Sequence, residues 1–307
     1  MNLRLIFRNR FNELRAGWQI ALFLLALSVA ALIFVVPLLT LAQIREAMVL
    51  NIAFLLAVLA ATWAVTQFIN KKPLTAVGLA VNRQALRDFG LGCLLGWLMM
   101  TAIFGIEYLQ GHVKVSAPEI SLGEGVQAFG LALVFFAVAA LNEEILFRGY
   151  PFQTLMRGIG FSPAMLVSGV VFGAAHLQNP NASAFGFINT VLVACLFCLA
   201  YWRTRGLWLP FGIHFAWNFS QTTIYGFPTS GIHFTQFELT RLTQFGPEWV
   251  TGGAYGPEGG AVATLTIVLC GVYLYFARSL RPNPAVVTLE REDEEIRFVL
   301  ERRAEAA

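Results

Sequence analysis

Two adjacent glutamates and an arginine close a long apolar segment of this chain, in the stretch ALNEEILFRG, residues 140–149. An ionised carboxylate is costly in hydrocarbon, so acidic residues at membrane depth usually face a bundle interior, a partner or a water-filled cavity. Successive helical residues point about 100° apart, so Glu143 and Glu144 cannot share a helix face. Glu144 and Arg148 are four residues apart and can pair. The spacing predicts a structural ion pair between Glu144 and Arg148, with Glu143 free for another role.

A simpler interpretation is that all three charges only cross-link neighbouring helices, or extend to water at the membrane interface. Two further polar clusters downstream favour a functional role. They are His176 at the end of one apolar segment and His214 with Asn218 in another.

The composition predicts that lipid surrounds most of the chain. Hydrophobic residues make up 57% of the 307 residues and charged residues 13%, with a mean hydropathy of +0.65. These values are far more apolar than those of an ordinary soluble domain. The net charge is only +3 and the basic residues do not form a stripe, so nucleic-acid binding has no support. The CxxC at Cys195 and Cys198 lies in an apolar segment and is interpreted as packing rather than a redox or metal pair.

Eight apolar segments are long enough to cross a bilayer, which predicts an all-α polytopic membrane protein, an eight-transmembrane-helix bundle. Their approximate ranges are 17–41, 47–69, 89–108, 126–148, 162–177, 184–202, 207–224 and 260–277. Pro37 is expected to kink the first span or to mark its exit. We divide the chain into three N-terminal spans (1–125), a core of spans four to seven (126–225), and an outer loop with the last span and a charged tail (226–307).

The distribution of basic residues predicts an integral membrane protein with both termini in the cytoplasm, since arginine and lysine are retained on that side. The outer segments hold only Arg45, Lys114 and Arg241. The inner segments hold Arg4, Arg8, Arg10, Arg15, Lys71, Lys72, Arg83, Arg87, Arg148, Arg157, Arg203, Arg205 and every basic residue from Arg278 onward.

Two outer connections are long, at 109–125 and 226–259. The second could cap the bundle or dip back into it, and its His233 is interpreted as a surface or interface residue. The tail from Pro282 is interpreted as a solvated helix or a partly disordered end.

The downstream polar residues have the parts of a hydrolase. His214 and Asn218 are four residues apart and share one helix face, which must look inward because lipid offers them no hydrogen-bonding partners. We therefore expect four side chains to meet in one pocket, those of Glu143, His176, His214 and Asn218. A carboxylate near imidazoles can take a proton from water, and two imidazoles with a carboxylate are also a common set of zinc ligands. The amide of Asn218 could donate to an oxyanion. Neither HExxH nor GxSxG is present.

The ordered motifs EExxxR (143–148), FxxxH (172–176) and HxxxN (214–218) resemble those of the CPBP family. That family comprises the type II CAAX prenyl endopeptidases and the Abi or bacteriocin-processing relatives. The resemblance covers residues 126–224 and implies an intramembrane endopeptidase that cleaves membrane-associated or lipidated peptides and proteins. It implies that Glu143 and His176 activate the water, that His214 and Asn218 stabilise the oxyanion or bind metal, and that Glu144 and Arg148 support the site. Zinc, held by Glu143, His176 and His214, is one version of that mechanism, and a metal-free activated water is the other.

Two other classes of function remain open on the sequence. The first is a transporter or proton relay that uses Glu143 and the histidines as titrating groups, and the second is a non-catalytic scaffold or immunity protein. The short amino terminus and compact loops suit a protein of the bacterial inner membrane, for which the natural substrate is open. The predicted boundaries contain one conflict, since Glu143 lies near the inner end of the fourth span and His176 near the outer end of the fifth. For the two to touch, the fourth helix must continue toward Met156, or the fifth must tilt or begin later.

Overall fold

The computed structural model of the protein describes residues 4–292 and 295, except for 10, 12 and 42–45. The predictions for Arg10 and Arg45 concern residues outside this set. So does the prediction for the charged tail beyond residue 292, with the exception of Glu295. The described chain is mostly helical, which confirms the predicted all-α class.

The helices follow one another with short connections over most of the chain. They are α1 (Arg4–Phe7), α2 (Ala16–Phe34), α3 (Val36–Thr40), α4 (Ala47–Ala64), α5 (Arg83–Leu109), α6 (Leu122–Arg148), α7 (Tyr150–Ile159), α8 (Phe161–Ala175), α9 (Ala184–Thr204), α10 (Trp208–Phe219), α11 (Glu248–Thr251) and α12 (Ala261–Phe276). Residues 284–292 are also helical. Single π-helical turns extend α4 through Val65–Ile69 and α10 through Ser220–Ile224, and a 3₁₀ turn, His176–Gln178, follows α8.

Six segments of the described chain are long and apolar enough to cross a membrane. They are Ala16–Thr40, Ala47–Ile69, Arg83–Leu109, Leu122–Ile159, Phe161–Gln178 and Ala184–Thr204. The chain is therefore polytopic, but the predicted number of eight spans is not reached by this measure. The seventh predicted span is divided between α10 and its π-helical turn, and the eighth, α12, has only 16 residues.

Local chemistry explains where these helices begin and break. The side chain of Asn82 accepts a hydrogen bond from the Ala85 amide at 2.9 Å, so α5 starts well before the predicted Phe89. Ser121 and Glu124 form a reciprocal cap at the start of α6. In the first span α2 ends at Phe34, and Pro37 lies in the first turn of α3, as expected for a residue that cannot continue the preceding helix.

The fourth and fifth spans form a hairpin that resolves the predicted conflict between Glu143 and His176. The chain continues helically past Arg148 through α7 and then reverses into α8. Glu143 lies 16 positions before Ile159, about 24 Å of helix, and His176 lies 15 positions after Phe161, about 22 Å. The two residues are therefore nearly equidistant from the reversal. The break between α6 and α7 is at Gly149, where a Cβ would collide with the Ile145 carbonyl oxygen.

Glycines bring α10, which carries His214 and Asn218, into close contact with α5. A Cβ on Gly212 would collide with the Phe89 carbonyl oxygen, and a Cβ on Gly92 or Gly96 would collide with carbonyl oxygens of α10. These small residues let the two backbones approach closely, as is common where helices associate within membranes. The position of the α10 side chains is therefore fixed against α5.

The two long outer connections pair with each other. Strand β1 (Val113–Ser116) and strand β2 (Arg241–Gln244) form an antiparallel ribbon in which Val113 faces Gln244. The sequence analysis did not predict this ribbon. His233, in the second connection, is exposed and lies 3.8 Å from Glu238, in agreement with its interpretation as a surface residue.

Candidate active site

Glu144 is the buried electrostatic centre of the candidate site. Its Oε1 accepts hydrogen bonds from Arg148 Nη1 at 3.2 Å and from His214 Nδ1 at 2.9 Å. The side chains of Glu144 and Arg148 are completely buried. The guanidinium of Arg148 also lies over the rings of Phe172 and Phe197, 4.4 and 4.9 Å from their centroids. The predicted ion pair is present, and it holds a histidine that the sequence had assigned to a different motif.

The hydrogen bonds of the two histidines define which ring nitrogens face the cavity. His214 Nδ1 lies against the Glu144 carboxylate, and His176 Nδ1 lies 2.8 Å from the Phe172 carbonyl oxygen. Both partners are acceptors, so we infer that each Nδ1 carries the proton. The ring of Phe197 stacks on His214 at 5.0 Å and fixes its plane. In the neutral form of either imidazole, Nε2 is therefore an acceptor.

Glu143 faces both of these Nε2 atoms. Its Oε2 lies 3.7 Å from His214 Nε2 and 4.0 Å from His176 Nε2, too far for direct hydrogen bonds. Three acceptors thus converge on one small volume. Such an arrangement requires a proton, a water that donates to these atoms, or a cation between them.

All four predicted catalytic residues line one cavity of about 470 Å³: Glu143, His176, His214 and Asn218. Asn218 lies one helical turn beyond His214 on α10, as its spacing predicted. Much of the remaining wall is apolar, with contributions from Phe135, Phe136, Phe172 and Phe197. The cavity therefore combines a cluster of polar side chains with a surface suited to apolar groups.

The types of ligand atom at this site, two imidazole nitrogens and a carboxylate oxygen, fit zinc better than the distances between them do. Both histidines have Nδ1 hydrogen-bonded to an acceptor, as the non-ligating nitrogens of zinc-binding imidazoles usually are, which leaves both Nε2 atoms facing the cavity. Donors of a tetrahedral zinc ion at 2.0–2.1 Å are separated by about 3.3 Å, less than the 3.7 and 4.0 Å found here. Within the described ranges, no group of three or more His, Cys, Asp or Glu side chains is arranged to hold a metal ion. The metal ligands therefore stay a prediction.

The cavity holds a second carboxylate, that of Glu258, which was not predicted from the sequence. It lies in the turn Pro257–Gly259 and accepts hydrogen bonds from the amide and hydroxyl of Ser230, the latter at 2.9 Å. Burial raises the pKa of the Glu258 carboxyl, and the bonds from Ser230 and the charge of nearby His176 oppose that rise. Ser230 also lines the cavity, so the second outer connection forms part of its wall.

Comparison with known proteins gives one similar bacterial protein and one family model that matches the part of the chain with the three motifs. The uncharacterized protein YyaK of Bacillus subtilis (strain 168) is 22% identical over 226 residues, which are 70% of this chain and 70% of that protein. The name of that relative states no function. Residues 125–220, which hold all three motifs, match the family model of the Rce1-like type II CAAX prenyl endopeptidases and confirm the predicted resemblance to the CPBP family.

Proposed function

We propose that the protein is an intramembrane endopeptidase that hydrolyses peptide bonds of membrane-associated or lipidated peptides and proteins. The observation that carries this proposal is the convergence of Glu143 Oε2 with the Nε2 atoms of His176 and His214, at 4.0 and 3.7 Å, in a cavity between helices. A carboxylate that faces two imidazoles at this separation can hold and deprotonate a water. The match to the type II CAAX prenyl endopeptidases supports the same class of reaction.

The first step in this proposal is the attack of water on the scissile carbonyl. A water bound between Glu143 and His176 transfers a proton to Glu143 Oε2 as its oxygen bonds to the carbonyl carbon. The carbonyl oxygen becomes an oxyanion, to which Asn218 Nδ2–H donates a hydrogen bond. His214, whose Nδ1 is held by Glu144, would give a second hydrogen bond to the oxyanion through a proton on Nε2.

The second step is the collapse of the tetrahedral intermediate. The oxyanion re-forms the carbonyl as the carbon–nitrogen bond breaks, and the proton held by Glu143 passes to the departing amine. One peptide then has a new carboxyl group, which loses its proton to solvent, and the other has a new amino group. Glu144 and Arg148 take no part in bond making. Their role is to hold His214, through a 2.9 Å hydrogen bond, in the orientation that both steps need.

The proposed topology has eight crossings with both termini in the cytoplasm of a bacterial inner membrane. The short helix α12 and the 17 residues of α10 with its π-helical turn would supply the two crossings beyond the six long ones. About 25 Å of helix is close to the thickness of the hydrocarbon core. The excess of arginine and lysine on the inner connections supports this orientation. The partners would be a peptide or protein substrate and the surrounding lipid, without nucleic acid.

The test is cleavage of fluorogenic amphipathic peptides, with and without a prenyl group, by the purified protein in liposomes. Glu143→Gln and His176→Asn should each lower turnover at least 100-fold, since each removes a group that handles the proton of the water. The matched control is His233→Asn, which alters an exposed histidine outside the cavity. Full activity in Glu143→Gln and His176→Asn would refute the proposal. A pH-dependent ion flux without peptide turnover would favour the transporter hypothesis instead.

A further inference from the structure

Glu258 is held rigidly at the wall of the catalytic cavity. Besides the two bonds from Ser230 to its carboxylate, its backbone is tied to α9, because Asn189 Nδ2 donates to the carbonyl oxygens of Glu258 at 2.8 Å and Gly260 at 2.9 Å. Thr264 Oγ1 in turn donates to Asn189 Oδ1 at 2.7 Å. Five hydrogen bonds through Asn189, Ser230 and Thr264 therefore fix the turn that carries Glu258, and two of them fix its carboxylate directly.

The charges around the cavity are unbalanced. Glu143 and Glu258 line it, and Glu144 lies directly behind His214. Of the described residues that line the cavity, none is a lysine or an arginine. The nearest guanidinium, that of Arg148, is buried against Glu144 and covered by the rings of Phe172 and Phe197. Burial opposes ionisation of Glu258, so a cation bound beside it would favour the charged carboxylate and be held by it, whereas an anion would be repelled by the carboxylates of the cavity.

The apolar walls of the cavity indicate which chemical class of cation it would bind. A small hydrated ion gains nothing from the rings of Phe135, Phe136 and Phe234, which also line the cavity. A lysine or arginine side chain buries its aliphatic stem along such a surface while its charged end reaches a carboxylate. An amino terminus with an apolar first residue has the same combination.

We propose that Glu258 forms a subsite for a positively charged group of the peptide substrate. This inference rests on the proposed endopeptidase function and specifies its substrate class. The group is the amine or guanidinium of a basic side chain, or a free amino terminus, bound in the cavity that holds Glu143 and His176. A substrate that places its terminal carboxylate in this part of the cavity is disfavoured, because two carboxylates already face it.

Three peptides of one sequence separate the two sources of the cation from a neutral control. The first carries an acetylated amino terminus and a lysine, the second a free amino terminus with norleucine in place of lysine, and the third an acetylated amino terminus with norleucine. Cleavage and equilibrium binding of each are measured with the wild-type protein, with Glu258→Gln and with Glu248→Gln. Glu248 is an exposed glutamate of the same outer connection that does not line the cavity. The glutamine at 258 keeps an oxygen for the Ser230 donors, so the fold is retained.

The wild-type protein should cleave and bind at least one of the two cationic peptides tenfold or more better than the neutral one. Glu258→Gln should abolish that preference, and Glu248→Gln should keep it. Which of the two cationic peptides is preferred identifies the source of the charge. Equal cleavage and binding of all three peptides, or a preference for a cationic peptide that survives in Glu258→Gln, would overturn the proposed subsite. Neither result would contradict the proposed endopeptidase function. If the wild-type protein cleaves none of them, the endopeptidase fails, and binding alone decides whether Glu258 holds a cation.

Discussion

Glu144 Oε1 accepts a hydrogen bond from His214 Nδ1 at 2.9 Å, although the two residues are 70 positions apart in the sequence. The same oxygen accepts a hydrogen bond from Nη1 of Arg148, which lies on the next turn of the same helix. One carboxylate oxygen thus joins the buried ion pair to His214, one of the residues that line the cavity. The adjacent Glu143 points at the opposite nitrogen of the same imidazole, 3.7 Å from Nε2. The two glutamates flank His214: Glu144 holds it by a buried hydrogen bond, and Glu143 faces it across the cavity without one.

This arrangement predicts opposite effects for two isosteric changes. Glu144→Gln leaves the buried Arg148 without a counter-charge, and breaking a buried pair costs about 3–5 kcal/mol of unfolding free energy. Glu143→Gln changes a partly exposed side chain that makes no hydrogen bond through Oε2, so its unfolding temperature should stay near that of the wild type while peptide turnover is lost. Thermal unfolding in detergent, followed beside turnover, checks both effects. Equal destabilisation by the two changes would show that the division of roles is wrong.

Arg148→Lys is predicted to be destabilising although it keeps the charge. The guanidinium donates a hydrogen bond to Glu144 from Nη1 and lies over the rings of Phe172 and Phe197, and a lysine ammonium cannot make all three contacts from the same position. The loss should be about 1–3 kcal/mol, measured by thermal unfolding in detergent. Arg241→Lys, at an exposed position of β2, is the matched control and should be neutral. An unchanged unfolding temperature in Arg148→Lys would contradict the role given to the ring contacts.

The sequence could predict those parts of the site that depend on helical spacing. The pairs Glu144 with Arg148 and His214 with Asn218 are each four residues apart, so one helix face determines them. The bond between Glu144 and His214 could not be predicted, because it depends on how α6 packs against α10. Glu258 lies in a short turn between glycines, where no periodicity distinguishes a buried glutamate from a solvated one.

In the fold, as in the site, the features that depend on local sequence could be predicted and the non-local ones could not. Hydropathy predicted the second span at Ala47–Ile69, which agrees with α4 and its π-helical turn. It placed the start of the third span six residues late, because the cap by Asn82 is a matter of hydrogen bonding and not of hydropathy. It also could not predict the ribbon of β1 and β2, whose strands are more than 120 residues apart. Non-local pairing leaves little trace in a single sequence.

The close packing of α5 and α10 predicts that Gly212→Ala impairs both stability and activity. The added methyl would collide with the Phe89 carbonyl oxygen and lie 2.9 Å from the Cys93 amide nitrogen, so the two helices must separate. Overpacking of this kind costs about 1–3 kcal/mol, and the shift should displace His214, two residues along α10. Unfolding temperature and turnover are the measurements. Gly90→Ala is the control, since its Cβ would meet no atom within 4 Å and alanine favours the helix. Equal behaviour of the two variants would argue against the close approach.

Removal of metal provides the final prediction. The 3.7 and 4.0 Å separations exceed those between zinc-bound donors, so we expect that dialysis against a strong chelator leaves peptide turnover unchanged. Elemental analysis of the same sample should then show less than one zinc per chain. Loss of activity on chelation, restored by added zinc, would show instead that Glu143, His176 and His214 draw together around a metal. In that case the imidazole Nε2 atoms would serve as ligands, and the hydrogen bonds from Nδ1 to Glu144 and Phe172 would orient them.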